Sequence, residues 1–159
     1  MLPEDVNGLP LHPLAVHATV VLVPLTALLA LLFVLPRFRS WARVPLLLVS
    51  LASVVSVFVS KQSGKSFQER LGLEDAKSNP VAAAVRVHAQ RANVLFLIMA
   101  TFAVIAVVAF LVSQGSRSYT GLVAVVMSVL LVVGAGAIAF QTYRVGESGA
   151  QAVWGSSGS

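Results

Sequence analysis

Four stretches without Lys, Arg, Asp or Glu decide what this chain can fold into: residues 14–35, 44–60, 92–113 and 122–140. At about 1.5 Å per residue, each forms a helix of roughly 25–33 Å, which matches a hydrocarbon core about 30 Å thick. A soluble domain of 159 residues needs a charged surface, yet this chain has only 11 basic and 6 acidic residues. That is 11% of the chain, against about 25% in soluble domains. The chain therefore reads as an all-α integral membrane protein, an up-down four-helix bundle. The expected organisation is a single four-span domain over residues 1–154, with spans at about 13–35, 44–60, 92–114 and 121–143. A disordered tail is expected at 155–159.

Composition excludes several function classes. Cysteine is absent, which removes disulfides, thiolate nucleophiles, Cys-held iron–sulfur clusters and haem attached through C-x-x-C-H. The basic residues flank apolar spans, as membrane topology requires, and no RNP-like, zinc-finger or P-loop pattern occurs, so no nucleic-acid partner is expected. Serines are plentiful, but G-x-S-x-G is missing and the acids lie only in flanks. A non-enzymatic role is the expectation. No basic n-region precedes the first apolar run, so that run reads as a retained span rather than a signal peptide.

Along the chain, residues 1–11 read as an irregular lead-in, and Pro13 suits the first turn of a helix. Pro24 falls mid-span. Ser50, Ser53, Ser56 and Ser60 share one helix face. Residues 61–79 form the sizeable polar segment, where Phe67 and Leu71 suggest one amphipathic turn. Asn79-Pro80 is a helix start. Gly134 and Gly136 lie in a small-residue stretch suited to tight helix contact. No long internal repeat is legible. The first loop carries Arg37, Arg39 and Arg43 and the third Arg117, while nothing basic precedes the first span. On the positive-inside rule, the first hairpin places both termini outside the membrane. The opposing side nevertheless holds Lys61, Lys65, Arg70, Lys77, Arg86, Arg91 and Arg144.

All three histidines fall on the side of the termini. His12 and His17 open the first helix and His88 lies near the start of the third, where Ser60, Gln141, Arg144 and Glu147 also converge. Ionisable groups at such depth face a bundle interior and often mark a site. Three readings are open. One b-type haem can take His17 and His88 as axial ligands, with Arg91 and Arg144 neutralising propionates and His12 at the rim. A Cu or Zn ion can use His17 and His88, with His12 and Glu147 as further donors. Alternatively, the histidines are structural, and Arg144 with Glu147 closes the rim.

The segments NGLPLHPLAVHA (7–18), SGKSFQERLG (63–72), VHAQRAN (87–93) and RVGESGAQAVWG (144–155) together resemble a bacterial membrane family known as domain of unknown function 2231. The most specific match is H-P-L-x-V-H at His12, Pro13, Leu14, Val16 and His17. His88 matches a histidine at the start of the third helix, and Arg144, Gly146, Ser148 and Gly149 match the closing motif. The resemblance implies four helices, a multi-pass location in the bacterial inner membrane, and one functional unit of His12, His17, His88 and Arg144. Many family members carry His or Asp where this chain has Glu147, which argues against a site of three or four histidines. The expected role is a small haem-b redox or electron-transfer subunit. The alternatives are a cofactor-free accessory subunit or a Cu/Zn-binding protein. Expected partners are membrane lipid and a larger membrane complex or a homodimer.

Overall fold

The computed structural model describes residues 5–73, 79–114 and 119–154. It is a four-helix bundle: α1 (Leu11–Val34), α2 (Pro36–Arg70), α3 (Pro80–Val112) and α4 (Gly121–Trp154), preceded by two short strands, β1 (Asp5–Val6) and β2 (Leu9–Pro10). All four helices are long and apolar enough to cross a membrane. α1 packs on α2 and α4, and α3 packs on the same two, so the helices follow one another around the bundle in chain order. Its centre is filled by Val23, Phe33, Leu46, Met99, Phe102, Leu131 and Ile138.

Helix boundaries differ from the expected spans in instructive ways. The lead-in is a hairpin, because Asn7 (φ 51°) and Gly8 (φ 79°) supply the two positive φ angles that a tight two-residue turn requires. The basic connection at residues 36–43 is helical. Pro36 sits in the first turn of α2, where its missing N–H costs nothing, and only Leu35 separates α1 from α2. The residues after Ser60 continue α2 for ten positions, with Lys65 and Glu69 paired at 3.8 Å on its surface. α4 likewise runs on to Trp154. Asn79 caps α3, its side-chain oxygen accepting the Val81 N–H at 2.9 Å. The 155–159 tail, Lys77 and Arg117 lie outside the described residues.

An internal repeat, illegible in the sequence, is plain in the packing. Every buried residue of α4 (Met127, Leu131, Ala135, Ile138, Gln141 and Ser148) has a buried counterpart in α2 at one constant offset. Those counterparts are Ala42, Leu46, Ser50, Ser53, Ser56 and Ser63. Between α1 and α3 the pairs are Val23 with Met99, Thr26 with Phe102, Ala30 with Ala106, and Phe33 with Ala109. The α1–α2 and α3–α4 hairpins thus present one burial register twice, in the same direction, as an approximate two-fold axis along the bundle requires.

The serine stripe of α2 faces α1, where it meets two threonines. Thr26 Oγ1 lies 2.8 Å from Ser53 Oγ, and Thr19 Oγ1 lies 2.7 Å from Ser56 Oγ and 2.9 Å from Ser60 Oγ. At the opposite end, arginines cap helix ends. Arg39 donates to the Phe33 and Val34 carbonyls and lies over the Tyr119 ring at 4.4 Å, and Arg43 donates to the Ser113 carbonyl.

Candidate functional site

The polar end of the bundle lies beyond the uncharged stretches of α2, α3 and α4. His12 and His88 stand just outside those of α1 and α3, at the level of lipid headgroups. His12 turns toward α2. Its Nδ1–H donates to the Ser60 carbonyl at 3.0 Å, with Ser63 Oγ at 3.4 Å, and its ring stacks on Phe67 with centroids 6.0 Å apart. His88 repeats the arrangement on α4. Its Nδ1–H donates to the Val145 carbonyl at 3.1 Å, with Ser148 Oγ at 3.4 Å. Each imidazole lies over a glycine. A Cβ on Gly64 would come within 3.0 Å of the His12 ring, and one on Gly149 within 3.2 Å of the His88 ring. Each hairpin is therefore closed at its polar end by the same latch: a histidine on the first helix and a Ser-Gly step on the second.

Burial pushes the pKa of both imidazoles below the ordinary value of about 6.5, partly offset by the bonds to Ser60 and Val145 carbonyls. The His88 charge adds to the downward push on His12, and Arg91 to that on His88. Desolvation favours the neutral form. With Nδ1 donating to a carbonyl, the lone pair of each neutral ring resides on Nε2.

The site residues fall into place unevenly. His17, expected to face the interior, is exposed, and its Nδ1–H bonds to the Pro13 carbonyl of its own helix at 2.6 Å. Five residues after His12, it is rotated by about 140° and lies off the face of α1 that His12 turns to α2. The counterpart of His88 across the two-fold is therefore His12. Glu147 pairs with Arg91 at 3.3 Å rather than with Arg144. Arg91 also donates to the Arg144 carbonyl at 2.8 Å, while the Gln141 amide donates to the Arg91 carbonyl at 2.8 Å. Among the described residues no group of three or more His, Asp and Glu side chains could hold a metal ion. Sequence reasoning missed Ser63, Ser148, Gly64 and Phe67 as partners of the histidines. The signal was a Ser-Gly dipeptide on each helix that follows a His-led one.

The four quoted segments thus occupy one end of one bundle, and a family model described as a predicted membrane protein, DUF2231, matches residues 8–158. The chain belongs to the DUF2231 family. No curated protein and no solved structure matches it. Like its family, this DUF2231 member is a multi-pass bacterial membrane protein whose function is not implied by its name. What its closing motif does here is structural at the least, because Ser148 and Gly149 seat His88.

Proposed function

We propose that this protein is an accessory subunit that packs against a larger membrane assembly in the bacterial inner membrane, with both termini outside. The observation that carries this reading is the poor coverage of α4. Only 22% of its most apolar window is buried, against 33% in each of the other three helices. Val125, Val129, Val132, Gly136, Phe140 and Tyr143 form one exposed stripe along it. At Gly136 and Gly146 nothing stands within 4 Å of where a Cβ would be, so another helix can approach there closely. The orientation rests on the arginines of the short-loop end against a first flank without Lys or Arg.

Gly136→Leu tests the reading. It should abolish a cross-linked or co-purifying partner while leaving the isolated protein no less stable, since the exposed helix position has room for the side chain and gains propensity. Unchanged association would overturn it. A second reading has one specific support, the Nε2 atoms that the latch leaves available on His12 and His88, since metal-bound histidines commonly donate Nδ1–H to a carbonyl. In that reading one haem b, or a Cu or Zn ion, binds at the polar end, with Arg91 and Arg144 beside it. The accessory reading expects a flat reduced-minus-oxidised spectrum and no stoichiometric metal in purified protein. A b-type signal or a bound metal that is lost in both His12→Ala and His88→Ala would replace it.

A further inference from the structure

Between α3 and α4, at the level where their uncharged stretches end, lies a cleft of about 270 Å³ lined by Val87, Gln90, Arg91, Val94, Gln141 and Arg144. It is smaller than the roughly 300–1,000 Å³ of drug-sized sites. The two arginines differ in what already holds them. Arg91 is engaged by the Arg144 carbonyl and Glu147. Among the described residues, the Arg144 guanidinium has only the face of Phe140, 5.8 Å away, and no carboxylate. Gln141, 4% exposed, forms the floor and is fixed to the Arg91 carbonyl. Val87 and Val94 are exposed and form apolar walls facing outward.

The two-fold supplies an internal control. Leu14, Ala15 and Val59 of the first hairpin occupy the places of Gln90, Arg91 and Arg144, so the equivalent groove carries no charge. A polar cleft on one hairpin alone is not needed to close the fold.

We propose that this cleft binds the headgroup phosphate of an anionic phospholipid, with an acyl chain against Val87 and Val94. Arg144 provides a planar donor fork for phosphate oxygens, and Gln90 provides an amide beside it. The valine walls favour a lipid over a free anion, because a chain attached to the bound phosphate can lie against them. On either face of the membrane, a guanidinium at headgroup depth holds an anionic phosphate by paired charge-assisted hydrogen bonds. This inference goes beyond the accessory reading and does not depend on it.

The test is native mass spectrometry of the full chain, released from micelles doped with equal phosphatidylglycerol and phosphatidylcholine. One phosphatidylglycerol should be retained per protein. Arg144→Gln should reduce its occupancy by about tenfold, the loss expected for one charge-assisted contact. That side chain bridges to no other helix, so the fold should survive, which the elution profile checks. Gln90→Glu, which places a negative charge in the cleft, should lower occupancy as well. Lys65→Gln, at the same end but outside the cleft, should not change it. Equal retention of both lipids, equal losses in Arg144→Gln and Lys65→Gln, or sodium phosphate displacing the lipid at millimolar concentration would each overturn the proposal.

Discussion

Replacing Gly134 with alanine is expected to destabilise the bundle by about 1–3 kcal/mol, and replacing it with leucine by more. A Cβ built there falls 2.5 Å from Cδ2 and 2.8 Å from Cε2 of Phe102. Phe102 is 1% exposed and packed in the centre of the core, so its ring has nowhere to swing. In an open helix, Gly→Ala gains about 1 kcal/mol of propensity. Here the steric clash between α3 and α4 decides the sign. Thermal unfolding in detergent measures the loss, and Phe102→Leu in the Gly134→Ala background should recover part of it. Gly136, two residues on and facing outward, should show none of this. The small-residue stretch of α4 that looks uniform in the sequence is therefore two surfaces, with Gly134 and Ala135 inward and Gly136 outward.

His12→Ala and His88→Ala should each cost about 1–3 kcal/mol, from one lost hydrogen bond and the lost packing of a half-buried ring; the Ser60 and Val145 carbonyls keep the Ser63 and Ser148 hydroxyls. Because each histidine closes its own hairpin, the two losses should be similar and nearly additive. Markedly unequal losses would contradict the two-fold equivalence of the latches. His17→Ala, at an exposed position, should be near neutral. The latches also make stability depend on pH. Both imidazoles have folded pKa values below their unfolded ones, so as pH falls the unfolded chain takes up protons first. Stability should hold above about pH 6.5 and decline as pH drops below it. The double variant should show a flatter profile over the same interval, measured as the unfolding midpoint at a series of pH values.

The bundle was legible because lipid leaves a composition signal that no soluble fold imitates: 14–35, 44–60, 92–113 and 122–140 contain no charged side chain. The lengths of α2 and α4 were less so. Residues 61–70 look like a loop by polarity, and the helix continues there because the His12 ring covers Gly64 and Phe67. The repeat was illegible for a related reason. A core fixes size and burial rather than identity, so Ser53 can answer to Ile138 and Thr26 to Phe102 without any shared letter. Which histidine of α1 meets the neighbouring helix was not legible: His12 reaches the Ser60 carbonyl of α2, and His17 bonds within its own helix. His17 lies deeper along the chain than His12, but depth does not determine direction, and the side of α1 that meets α2 belongs to His12, Thr19 and Thr26.

The unequal helix lengths make the molecule lopsided across the bilayer. α2, α3 and α4 have 35, 33 and 34 residues, about 50 Å each, and beyond a 30 Å slab the excess of α3 and α4 lies on the side of the termini, while that of α2 is shared between both ends. On the far side a one-residue link at Leu35 joins α1 to α2, and Arg39 and Arg43 fold back onto helix ends. The protruding helix on the side of the termini bears both latches, their glycines and the arginine cleft, so these features all share one end of the bundle.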